Sequence, residues 1–117
     1  MAPSAATLIA IDLGASSGRV IAGALDDGRL SLREAHRFEH APRMADGALR
    51  WDWRAITVGV RAGLAAAIGD GAIAGVSCDS WAQDFELLDA DGDLLAEPVS
   101  YRAVSYTHLT LPTKRIV

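Results

Sequence analysis

Asp12 closes a short apolar run, Leu8 to Ile11, and the next six residues spend two glycines and two serines before Arg19. Such a loop lets the backbone adopt conformations costly for other residues and lets a ligand approach the main chain. It can aim several N–H groups, with the hydroxyls of Ser16 and Ser17, at one anion. An acid beside it would repel a bare phosphate but suits one carried with Mg2+, directly or through its waters. The residue types therefore point to a metal nucleotide, with Asp12 on the Mg2+ side and Gly14, Ala15, Ser16, Ser17, Gly18 and Arg19 on the phosphates. Two plainer readings stand beside this one. Gly14 to Gly18 could be an ordinary turn between strands, and Arg19 could make a surface ion pair. A Walker loop is excluded, because Arg19 rather than lysine follows Gly18 and a strand-like run rather than a helix comes next. The dinucleotide fingerprint fails on glycine spacing.

The elements that must position these residues follow from periodicity. Leu8 to Ile11 reads as a buried strand and Val20 to Leu25 as a second, joined by the glycine loop. Asp26-Asp27-Gly28 signals a hairpin turn into a third strand, Leu30 to Phe38, and the short connections make all three antiparallel. Glu39 to Arg50, with Pro42 and Gly47, reads as a loop. Trp53, Ile56, Val60, Leu64 and Ile68 recur at helical spacing, with Asp52 placed to cap the start and Gly69 the end. Ile73 to Cys78 is a fourth apolar strand, able to join the sheet beside the first. Phe85 to Leu88 and Asp93 to Leu95 flank an Asp91-Gly92 turn and read as a hairpin. The fold class is α/β.

With these elements in place, IDLGASSGR resembles the first phosphate-binding motif of the sugar kinases built on the actin and hexokinase fold. The chain is most similar to the FGGY carbohydrate kinases and, within them, to the rhamnulokinase branch. REAHRFEH (33–40), LRWDW (49–53), CDSWAQDFELLDADG (78–92) and PVSYR (98–102) resemble segments found there in the same order. The resemblance implies the N-terminal part of an actin-like ATPase domain, ribonuclease H-like in its strand order. It implies ATP and Mg2+ as cofactors and L-rhamnulose, phosphorylated at O1, as substrate. Trp81, Ala82 and Asp84 fall where the family's W-G-x-D motif contributes to the sugar pocket, with Ala82 standing in place of glycine. Asp84 could equally be a structural cap, and Asp79 reads as structural. The family's catalytic base, an aspartate in a later His-Asp-Thr segment, and its adenine site have no counterpart in these residues.

After Tyr101-Arg102 the family continues with an aspartate, whereas this chain has Ala103 and then VSYTHLTLPTKRIV. Residues 104–113 resemble a translated transposon-type sequencing adapter, so 1–103 is expected to be a partial kinase domain and 104–117 a non-native tail. Composition agrees, since all nine arginines of residues 1–103 stand there without a single lysine or asparagine, and Lys114 is the chain's only lysine. The formal charge of −4 becomes −6 without the tail, from nine basic and fifteen acidic side chains. No basic patch is available for nucleic acid or an anionic membrane. The lone Cys78 rules out an intrachain disulfide and suits a reducing compartment. A poor signal sequence and apolar runs too broken to span a bilayer make cytoplasm the expectation.

Other residues carry weaker chemistry. His36 and His40 would share one face of a strand and lack a third ligand for a metal. Trp51 and Trp53 read as packing residues, and the Asp89, Asp91, Asp93 run as a turn rather than a calcium loop. Two other functions remain open from sequence: another kinase of the same family, for fuculose or xylulose, and a non-catalytic ATP- or sugar-binding module on the same fold.

Overall fold

The computed structural model describes residues 6–69 and 72–101, so the expected tail at 104–117 lies outside the described residues. They form two compact units, one of residues 6–40 with Arg54–Trp81, the other of Ala41–Trp53 with residues 82–101.

The first unit is a mixed α/β layer. Strands β1 (Thr7–Leu13), β2 (Ser17–Asp26), β3 (Arg29–Glu39) and β6 (Ile73–Asp79) form a sheet in the order β3-β2-β1-β6. The first three are antiparallel as expected, and β6 pairs parallel with β1. Asp27 and Gly28 both take positive φ, 51° and 75°, the geometry a two-residue hairpin turn demands. On β1 the side chains alternate, so that Ile9, Ile11 and Leu13 are buried while Leu8 and Ala10 are exposed.

Helix α1 (Trp53–Ala67) covers the buried face, and here the structure corrects the expected helix stripe. Its buried residues are Ile56, Gly59, Gly63 and Ala67, whereas Ile68 and Val58 are more than half exposed. The reason is steric. A Cβ at Gly59 would stand 2.4 Å from Cγ of Phe38, and one at Gly63 would stand 2.2 Å from Cγ2 of Val20. The two glycines let the helix backbone settle onto β2 and β3, and the larger Val60 and Leu64 flank that line half-buried. The helix ends at Ala67, and Gly69 does not adopt the left-handed conformation of a glycine cap.

The second unit corrects the expected loop at 39–50. Strands β4 (Arg43–Ala45) and β5 (Ala48–Arg50) form a hairpin around Asp46 and Gly47, both at positive φ. Arg50 bridges to Val99, and the Ser100 N–H donates to the Leu49 carbonyl at 2.8 Å, which adds residues 98–100 to the hairpin. Trp51 and Ser100 have no solvent exposure. The hairpin expected around Asp91-Gly92 contracts to one bridge, Leu88 to Leu94, without a named strand. Asp89 closes its turn by accepting the N–H groups of Asp91 and Asp93 at 2.8 and 2.9 Å, as the reading of that acidic run as a turn requires.

Candidate functional site

The carboxyl ends of β1 and β6, parallel neighbours, converge at one edge of the first unit, the kind of edge where α/β sheets hold ligands. Asp12 is opposite Asp79 in the register. On its other side it is opposite Arg19 on β2, whose guanidinium reaches the Asp12 carboxylate at 2.9 Å. Both partners remain part-exposed, so the surface ion pair foreseen for Arg19 is formed, and with Asp12. The Arg19 Nε is buried and has no hydrogen-bond partner among the described residues. An unpaired buried donor is costly, and an anion beside it would remove that cost.

The connecting loop proper is Gly14 to Ser16. Ser17 and Gly18, expected in the loop, lie instead in β2 ahead of Arg19, with Gly18 opposite Leu13 and Phe38. The Gly14 N–H is spent on the Ser17 carbonyl at 2.9 Å. Neither Gly14 nor Gly18 takes a positive φ. What Gly18 supplies is room: a Cβ there would fall 2.3 Å from Cζ of Phe38, so its role in packing is visible where ligand approach was expected. Ala15 and Ser16 are exposed at the tip.

Trp81 donates its indole N–H to the Gly14 carbonyl at 3.1 Å, which ties the chain leaving β6 to the loop leaving β1. His40 stands edge-on to Trp81 with ring centroids 5.8 Å apart, and its backbone N–H donates to the Ser16 carbonyl at 3.1 Å. His36, Phe38 and His40 follow one another along one face, as the strand reading required. The first unit thus gathers Asp12, the loop, Arg19 and Trp81, and adds Asp79, read from sequence as structural, and His40, read there only as a strand-face residue without a third metal ligand.

Oxygen donors at this edge fit a Mg2+ that keeps most of its waters and takes one or two carboxylates, here Asp12 with Asp79 beside it. Among the described residues no cluster of three or more His, Cys, Asp and Glu surrounds one point, so the protein alone forms no closed cage. Cys78 shares the edge, exposed and free, and its thiol pKa is raised by partial burial and then by the charges of Asp79 and Asp12.

The motif that begins at Trp81 is divided between the units. Ala82 and Asp84 belong to the second, with Ala82 exposed and Asp84 half-buried. The Asp84 Oδ2 accepts the indole N–H of Trp51, while its Oδ1 is buried without a hydrogen-bond partner among the described residues.

Comparison with known proteins bears on this arrangement. The chain is 44% identical over 98 residues to a rhamnulokinase of Yersinia pestis, a match that covers 81% of this chain and 20% of that protein. Rhamnulokinases of Bacillus subtilis and Oceanobacillus iheyensis are 42% and 41% identical over 94 and 95 residues, each match covering 80% of this chain. This chain is a homologue of rhamnulokinases. It spans about one fifth of their length. No family model matches.

The rhamnulokinase-like segment also has a concave apolar surface on the sheet face opposite α1, lined by Leu8, Ile21, Gly23, Leu30 and Leu32. No titratable group lines it, and none of the candidate ligand-binding residues does. No helix of the described residues is long and apolar enough to cross a membrane.

Proposed function

We propose that the chain is the N-terminal segment of an ATP-dependent sugar kinase that phosphorylates L-rhamnulose at O1. The observation that carries this reading is the similarity to rhamnulokinases over four-fifths of the chain, at 41–44% identity. The strand order and the Asp12–Arg19 edge support it, because they join a carboxylate, an anion-ready guanidinium and a hydroxyl-bearing turn. The whole protein would have the actin-like ATPase fold, and the cytoplasm is its proposed compartment.

In this reading Asp12, with Asp79 beside it, holds waters of a nucleotide-bound Mg2+, and Arg19 and the Gly14–Ser16 turn, with the Ser17 hydroxyl, face the phosphates. Trp81, Ala82 and Asp84 face the sugar. The metal, when bound, screens charge on the transferring phosphoryl group. The residues here bind and orient. A carboxylate that takes the proton of the sugar hydroxyl belongs to the remaining part of the protein, so the 117-residue chain turns nothing over.

The test begins at the source DNA, read across codon 103 from the native side. An aspartate codon there, followed by an open frame that reaches a His-Asp-Thr segment, is the expected outcome. The uninterrupted enzyme should then form ADP with L-rhamnulose in preference to L-fuculose and D-xylulose. Source DNA that encodes the same tail and stops would overturn the reading, as would a full-length enzyme that prefers another ketose.

A further inference from the structure

Trp51 is held more firmly than a packing residue needs. It has no solvent exposure, its backbone N–H donates to the Pro98 carbonyl at 2.8 Å, and its ring lies 6.1 Å from that of Tyr101. The neighbouring Arg50 guanidinium ties the same hairpin, donating to the Glu97 carbonyl at 2.7 Å and to the Ala45 carbonyl at 3.2 Å. The one polar atom of the Trp51 side chain, its indole N–H, donates to Asp84 Oδ2.

Indole N–H is a donor only, and an ionised carboxylate is an acceptor only. Once Trp51 has fixed Oδ2, the plane of the carboxylate is set and Oδ1 is presented in one direction. Oδ1 lies out of water with no donor among the described residues. Leaving a carboxylate oxygen in that state costs free energy that a ligand donor would recover. Ala82 and Gln83, next to Asp84, are exposed and lie in a turn.

We propose that Trp51 is a positioning residue for substrate: it clamps one oxygen of Asp84 so that the other accepts a hydroxyl of a polyhydroxylated ligand. The inference rests on the sugar-kinase reading and adds to it a residue 33 positions away in sequence whose work is done through Asp84.

The test uses the uninterrupted enzyme with Trp51→Phe, Asp84→Ala and the double variant, measuring KM for sugar and for ATP, kcat and Tm. Trp51→Phe should raise the sugar KM about tenfold, the usual scale for a hydrogen bond to a charged group, and leave the ATP KM unchanged. In the Asp84→Ala background the same change should add nothing, since its effect passes through Asp84. A Trp51→Phe variant that melts earlier with an unchanged sugar KM is a packing residue only, and the proposal fails. Additive effects in the double variant also overturn it. Should Trp51→Phe not fold, Asp84→Asn decides. Its amide oxygen can still accept from Trp51 but turns a donor toward the ligand, so an unchanged sugar KM refutes the inference. A wild-type enzyme that phosphorylates no sugar overturns this proposal together with the kinase reading, whereas an active wild type with either negative result overturns the positioning role alone.

Discussion

Replacing Gly59 by alanine tests how α1 is seated. On an exposed helix the change stabilises, by about 1 kcal/mol from helix propensity. Here the new Cβ would sit 2.4, 2.5 and 2.6 Å from three ring carbons of Phe38, against a comfortable carbon–carbon separation of about 3.5–4 Å. The ring has little room to retreat, because its Cζ end already fills the space a Cβ at Gly18 would take, 2.3 Å from that position, and so lies against the β2 backbone. The helix must therefore move off the sheet by about 1 Å, loosening contacts of Ile56 and of Gly63 against Val20. Overpacking of this kind costs about 1–3 kcal/mol, three contacts each about 1 Å too short place this one at about 2–3, and with the propensity gain opposing it the expected net loss is about 1–2 kcal/mol. For a chain of this size that corresponds to a Tm lower by roughly 4–15 °C, readable by circular dichroism at 222 nm. Gly69→Ala is the control, since nothing lies within 4 Å of its Cβ position and its φ is not positive, and it should stay within about 0.5 kcal/mol of wild type. Phe38→Leu combined with Gly59→Ala should lose less than the two single changes added together, because each relieves the other's misfit. A Gly59→Ala chain as stable as wild type, or more so, would refute the glycine seat.

Two further outcomes follow from the same surfaces. The Cys78 thiol has its pKa raised by partial burial and by Asp79 and Asp12, so its alkylation by iodoacetamide should reach half-maximal rate above the usual cysteine pH. Asp79→Asn removes one negative neighbour and should move that midpoint down, and an unmoved or higher midpoint contradicts the electrostatic cause. The open sheet face leaves Leu30 and Leu32 59% and 67% exposed, so the isolated chain should bind an apolar dye such as ANS. Leu32→Glu should cut the fluorescence with a stability change within about 0.5 kcal/mol, and dye binding that survives the change places it elsewhere.

How much of this was legible in the sequence depended on how local each signal was. Strands β1 to β3 were readable because apolar runs were broken by a glycine loop and an Asp-Gly turn, both local signals. The helix was readable by spacing, yet its buried face was not, since hydrophobicity assigns burial to large side chains and says nothing of a glycine whose worth is the room it leaves. Strands β4 and β5, three residues each, are too short to show an alternation, although Asp46-Gly47 marked their turn. At the site, Asp12 and Arg19 were named from the loop, but their pairing follows from the β1–β2 register. Asp79 was read as structural, because only the parallel pairing of β6 with β1 brings it beside Asp12. The Trp51–Asp84 bond joins residues far apart in sequence that no periodicity links.

Under the kinase proposal, the Asp12–Arg19 pair occupies the ligand site without blocking it. With side-chain exposures of 42% and 33%, the two groups remain partly hydrated, and such a pair contributes about 0–1 kcal/mol. Opening it is therefore inexpensive, whereas a fully buried pair would resist by about 3–5 kcal/mol. Each partner holds the other's charge in place at the carboxyl end of the sheet. A metal-bound polyphosphate offers both at once what they give each other: cationic water for Asp12 and anionic oxygen for Arg19, whose buried Nε has no partner among the described residues. Under the kinase proposal the exchange swaps one modest ion pair for two charge-assisted contacts, so Arg19→Gln in the uninterrupted enzyme should raise the ATP KM and leave the sugar KM unchanged. An unchanged ATP KM would mean that Arg19 serves Asp12 alone, and the phosphate role would then fall to the Gly14–Ser16 turn.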